Sequence, residues 1–202
     1  MMKKINTLKK LLNFKLVNYE KVFFSIAIIF SCFIVKAQTI DTINFSINDI
    51  ELFIENGYTR IFMNSCETTT ENIGYPELPC MEVKYILPYN SYISSVMIID
   101  STTVLLSNNT VVYPKQPEYP MNDTVRHEFV NPNSDIYKSC GTYPYNIVDV
   151  SQQYYEKGFH IAKVNIYPIR YTPSDNKIEL YTNIRFQINY EENESAVLRP
   201  RT

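Results

Sequence analysis

Cysteine, histidine and acidic side chains are where any catalysis by this chain would have to begin. Four cysteines and two histidines occur among the 202 residues. His127 lies between Arg126 and Glu128 in a proline-rich stretch, and His160 opens an apolar run. A thiol nucleophile needs a base within hydrogen-bond reach, so Cys140 with His127 is the pairing to weigh. No glycine-rich turn accompanies a cysteine, and no Gly-x-Ser-x-Gly elbow occurs. His127 then reads as a solvated loop residue and His160 as a strand residue facing water. Glu191, Glu192 and Glu194 cluster where the sequence loses periodicity. They solvate a linker rather than forming the rigid carboxyl pair that glycoside hydrolysis requires. Four glycines are too few for a phosphate-cradling loop, and no Cys/His spacing matches a zinc site. No catalytic residue, metal or cofactor is expected.

Charge narrows the partner classes. Residues 1–37 hold seven of the 19 Lys and Arg and one of the 21 acids, leaving 12 basic against 20 acidic residues, a net charge of −8. Such a domain is a poor binder of nucleic acid or anionic lipid. The segment 1–37 itself reads as an export signal: a lysine-rich start, the apolar run Val22 to Val35, then Lys36-Ala37-Gln38. That run is short of the ~20 residues a membrane span needs and fits a helical signal core cleaved after Ala37, so no stable membrane span is expected. The expected location is the periplasm, the cell surface or the medium. In an oxidising compartment Cys66 and Cys80 can close a short loop, with a gain of about 3 kcal/mol. The alternative is that all three remaining cysteines are small buried hydrophobes.

The elements are β throughout. Phe159 to Tyr190 reads as two or three strands around one turn, Thr172-Pro173-Ser174-Asp175-Asn176. In its first limb Phe159, Ile161, Tyr167, Ile169 and Tyr171 fall on one face, with Val164 and Ile166 on the other, so a strand apolar on both faces is expected. In the last limb Ile184, Phe186, Ile188 and Tyr190 alternate with Arg185, Gln187 and Asn189, which implies one buried and one wet face. Asn56-Gly57 between apolar runs is a type I′ hairpin signal. Tyr92 to Asp100 and Thr103 to Leu106 read as a pair of strands, Val111 to Tyr113 as a short third, and Ser151 to Lys157 as a turn of helix. Tyr113 to Asn146, with five prolines, is a long loop of the kind that carries function. The fold class is all-β, a two-sheet antiparallel sandwich with a long Pro-rich loop. Its expected limits are 38–190, followed by a linker over 191–202 that stops as though the polypeptide continued.

Three stretches together resemble the propeptide of gingipain-type cysteine peptidases. One is Gly74-Tyr75-Pro76-Glu77-Leu78-Pro79, leading into a strand that ends at Leu87-Pro88. The second is Tyr137 with Tyr143-Pro144 further on. The third is Gly158 followed by Ile166-Tyr167-Pro168-Ile169-Arg170-Tyr171-Thr172-Pro173, in which Ile169, Arg170 and Thr172 depart from the family's usual Val, Gln and Asn. The resemblance spans about residues 45–190.

It implies a β-rich pro-domain that assists folding of a caspase-like cysteine peptidase domain, in cis or in trans, and blocks its active site until proteolysis. The catalytic pair of that peptidase would lie outside these residues. Such peptidases cleave after Arg or Lys, so a basic side chain on a rigid loop can fill the specificity pocket, where exclusion of water strengthens a charge-assisted pair. Arg126 is the first candidate plug, because guanidinium pairs with a carboxylate in bidentate fashion, and Lys138 the second. Arg201-Thr202 is the expected maturation bond. The competing expectation is a non-enzymatic surface module, an adhesin or glycan-binding sandwich.

Overall fold

The computed structural model describes residues 38–88, 90–120, 122, 125 and 127–192. Chain order begins with β1 (Gln38–Asn44), β2 (Ile50–Glu55), β3 (Tyr58–Met63), β4 (Thr68–Thr69), β5 (Pro79–Ile86) and β6 (Ser91–Ser107). One helical turn, α1 (Ser134–Tyr137), precedes β7 (Val148–Glu156), β8 (Phe159–Ile166), β9 (Ile169–Thr172) and β10 (Lys177–Glu192). The expected all-β architecture is what the chain adopts.

β10 is the axis of the first sheet. β6 pairs along one edge of it, and β9 and then β1 share the other, all antiparallel. Its alternation works as expected: Ile178, Leu180, Ile184, Phe186 and Ile188 are fully buried while Arg185 is exposed. The second sheet runs β4-β5-β8-β7, and contributes Val148, Ala162, Val164 and Ile166 to the same core. Each such side chain contributes about 1.5–3 kcal/mol of burial if fully removed from water, Ala162 less. Polar ties cross between the sheets as well. Tyr85 on β5 donates to Asp41 on β1 at 2.6 Å. The Gln153 side chain on β7 bonds both main-chain groups of Ile93 on β6.

β2 and β3 form the expected hairpin, with Asn56 at φ 51° and Gly57 at φ 83°. Those are the two positive-φ positions a type I′ turn requires. The Thr172–Asn176 turn is also where it was expected, a short 3-10 turn closed by left-handed Asn176.

Four local expectations are corrected. Ser151–Glu156 is strand and Lys157 turn, not helix: β7 pairs β8 out to Glu156–Phe159 around Lys157 (φ 51°) and Gly158 (φ 89°). The β8 ladder outweighs the helical preference of Gln, Glu and Lys, because tertiary pairing overrides local propensity. β6 is one 17-residue strand, because register shifts against β10 absorb the irregularity near Ser101-Thr102. Val111 to Tyr113 forms no ladder strand, only an isolated parallel bridge from Val112 to Thr59. Finally, β8 is buried on one face: Ala162, Val164 and Ile166 are inside while Phe159 is 57% exposed. Tyr167-Pro168 interrupts the pairing and flips the parity, so Ile169 and Tyr171 turn inward again.

Candidate functional site

The proline-rich loop is held by the segment that precedes β5. Gly74 N–H donates to Lys115 O (2.8 Å), Lys115 N–H to Tyr75 O (2.7 Å), Glu77 N–H to Tyr113 O (2.8 Å) and Asn133 N–H to Gly74 O (2.9 Å). Two prolines cannot donate to a ladder, so the residues between and beside them supply the bonds. Gly74 sits at φ +80°, and a Cβ there would meet Asn131 O at 3.4 Å; glycine suits both the conformation and the close approach. Thr70 stiffens the same segment by donating its hydroxyl to Pro76 O at 2.7 Å.

Glu77 is the electrostatic centre of this clamp. It is 5% exposed and takes Arg60 Nε at 3.0 Å and Lys115 Nζ at 3.5 Å. Lys115 Nζ also reaches Glu118 and Thr69, each at 3.0 Å. Arg60 bonds Glu55 at 2.9 Å and lies over the Tyr113 ring. Burial works against the Arg60 charge, but its bond to Glu55 and the charges of Glu77 and Glu55 outweigh burial and raise its pKa above the ordinary value. The sequence offered one signal for this network, an acid placed between two prolines.

Beyond the clamp the loop has a closed neck. Gln116 Nε2 donates to Val130 O at 2.9 Å while Val130 N–H donates to Gln116 Oε1 at 2.8 Å. The chain therefore leaves at Gln116 and returns beside it at Val130, the close-set ends that define an Ω-loop. Within it the His127 ring stacks on Tyr119 with centroids 3.4 Å apart, and Phe129 stacks on Tyr58 of the hairpin at 5.9 Å. Arg126 and Arg201, and residues 1–37, the expected signal segment, lie outside the described residues. Lys138 is exposed and follows α1 at the base of the loop, its N–H capping Ser134 O at 3.1 Å.

Among the described residues the cysteines do not assemble a catalytic site. Cys66, Cys80 and Cys140 are free thiols, with Cys80 buried and Cys140 exposed. Three clefts, of about 710, 290 and 210 Å³, are formed by described residues, and none brings a cysteine to a histidine. His160 does not face water as expected: it is half-buried, stacks on Tyr155 and donates Nδ1–H to Ser91 O at 2.8 Å. Among the described residues no group of three or more His, Cys, Asp and Glu could hold a metal. No described helix is long and apolar enough to cross a membrane.

Burial, with the Cys80 thiolate nearby, pushes the Cys66 thiol up to about 12, and burial raises Cys80 as well, outweighing its hydrogen bonds from Thr68 and Tyr167. Since the thiolate is the nucleophile, iodoacetamide at neutral pH is expected to label Cys140 first in the native, reduced protein. Cys66 and Cys80 should react at least about a hundredfold more slowly, which peptide mass mapping over time would check.

The three sequence stretches that looked alike to the gingipain propeptides meet in space. Tyr75 packs edge-on against Tyr143 at 5.7 Å, and Tyr137 lies 6.0 Å from Tyr171. Tyr143 and Tyr171 exchange two main-chain bonds of 2.8 Å each. Tyr137 OH donates to Val112 O at 2.8 Å, and burial lifts its pKa far above the usual phenol range. The profile of the family Propeptide_C25 matches residues 34–201. The chain belongs to the C25 propeptide family. Two solved structures share the propeptide fold. One is from work on the zymogenic latency of gingipain K from Porphyromonas gingivalis: 20% identity, 78% of this chain and 88% of that one covered, TM-score 0.62. The other is a complex of the pro- and mature domains of RgpB from the same organism: 12% identity, 80% and 86% covered, TM-score 0.65. No curated protein matches the propeptide.

Proposed function

We propose that this chain is an exported propeptide that assists folding of a gingipain-type cysteine peptidase and inhibits it, in cis or in trans. The family match over residues 34–201 carries the reading. The fold shared with a pro-domain solved in complex with its mature domain supports it. The loop over 117–129, closed at Gln116–Val130 and braced by Glu77, is the part suited to enter a cleft, because its ends are fixed before it binds. Arg126 is the proposed plug, with Lys138 second, and Arg201-Thr202 the bond cut on maturation. Residues 1–37 direct export and are removed after Ala37.

The test uses the chain produced with its own leader and, separately, residues 38–202. The exported product should begin at Gln38 by mass. Residues 38–202 should inhibit a mature Arg- or Lys-specific gingipain and raise the yield of active enzyme when the denatured catalytic domain is refolded beside them. Absence of both effects on both specificities would sink the proposal.

A further inference from the structure

The hairpin β2–β3 has an outer face with two different ends. Antiparallel partners share a face, so Glu51, Phe53 and Glu55 stand beside Phe62, Arg60 and Tyr58. At the turn end this face is covered by the proline-rich segment: Tyr58 stacks on Phe129, and Tyr113 meets the same ring edge-on at 5.7 Å. Arg60 is occupied by Glu55 and Glu77. At the far end nothing described covers the phenyl rings. Phe53 is 45% and Phe62 is 51% exposed, and Glu51, directly across from Phe62, is exposed too.

On the other face Thr59, Ile61 and Met63 of β3 are buried and account for the fold, while Leu52 and Ile54 of β2 are 45% and 73% exposed. The outer phenyls add nothing to that core. They lie on the same two-stranded ladder as Tyr58, on which Phe129 of the loop stacks. Arg60 is already paired with Glu55 and Glu77, and among the described residues no cation pairs with Glu51, which leaves its carboxylate for one brought by a partner.

We propose that this outer face is a second docking contact of the propeptide with the catalytic domain of a gingipain-type peptidase. An apolar hollow on that domain takes Phe53 and Phe62, and an adjacent Lys or Arg pairs with Glu51. The inference rests on the inhibitory reading above, because a peptidase that engages residues 117–129 must lie beside the hairpin to which Phe129 is fastened. Aromatic side chains in such a patch carry a large share of binding energy, and charge complementarity fixes the approach. Met97 and Leu105, exposed on β6, have no described tie to the loop and serve as the control surface.

The experiment measures binding of residues 38–202 to mature RgpB and mature gingipain K, each free and with its catalytic cysteine alkylated by a substrate-like inhibitor that fills the specificity pocket. A capped pocket admits no plug, so the remaining binding reports docking elsewhere. The double variant Phe53→Ser/Phe62→Ser and the single variant Glu51→Lys should each weaken binding to the capped enzyme about tenfold or more. Met97→Ser/Leu105→Ser should leave it within about twofold, and circular dichroism should show all variants folded. Wild-type inhibition with undiminished binding of the hairpin variants would overturn the docking face and leave the proposed function standing. Neither binding nor inhibition by the wild type, with either peptidase, would remove the reading on which the docking face depends.

Discussion

Replacing Arg126 with alanine should raise the inhibition constant against a susceptible gingipain-type peptidase by roughly 100- to 1000-fold. Truncating one partner of a buried, hydrogen-bonded charge pair at an interface costs 2–5 kcal/mol or more, because the other charge stays buried and alone. Arg126→Lys keeps the charge but loses the bidentate geometry, so a loss of about tenfold is expected. Lys138→Ala should change inhibition by less than about twofold. Its side chain is exposed at the foot of the loop, beside a turn fixed by buried Ile136 and the Tyr137 bond to Val112; surface charges of that kind contribute little. Progress curves with a fluorogenic Arg or Lys substrate give the constants, and electrophoresis shows whether the propeptide stays intact. Unchanged inhibition by Arg126→Ala with loss on Lys138→Ala would transfer the plug to Lys138. No change with either would remove the plug mechanism altogether.

What could be read from the sequence follows from how local each signal is. Asn56-Gly57 carries its own turn geometry, and the alternation in β10 reports burial residue by residue, so both were legible. Lys157-Gly158 is an equally tight turn, yet lysine seldom adopts positive φ, and the polar run before it hid β7. The Gln153 side chain that locks β7 to Ile93 is sixty residues away in sequence, beyond any periodicity argument. The sandwich was legible because two sheets must bury their inner faces together. Of the site, the proline motif, Tyr137, Tyr143-Pro144 and the stretch carrying Tyr171 were recognisable as a set. Their convergence on the Tyr75–Tyr143 and Tyr137–Tyr171 contacts was not. Gln116 gave no signal at all, since any polar residue looks the same in a loop until Val130 is placed opposite it.

Glu77→Ala is expected to destabilise the domain by about 3 kcal/mol, because removing one member of a buried ion network leaves its partners short of a counter-charge. The cost stays near the lower end of that range for a structural reason. Lys115 keeps Glu118 and Thr69, and Arg60 keeps Glu55. At 2–4 °C per kcal/mol for a domain of this size, the melting temperature should fall by roughly 6–12 °C. Glu77→Gln retains an acceptor for Arg60 and should lose about half as much. Arg60→Ala should cost less still, about 1 kcal/mol, since 39% of that side chain is exposed and solvent screens its charge. The more telling measurement is limited proteolysis well below the melting temperature. If Glu77 braces the loop through Lys115, cleavage within residues 117–129 should accelerate in Glu77→Ala before the rest of the domain opens, and inhibition should weaken with it. A lower melting temperature with unchanged loop cleavage and unchanged inhibition would mean that Glu77 supports the β-sandwich alone. The main-chain bonds of Gly74, Tyr75 and Glu77 would then suffice to hold the loop.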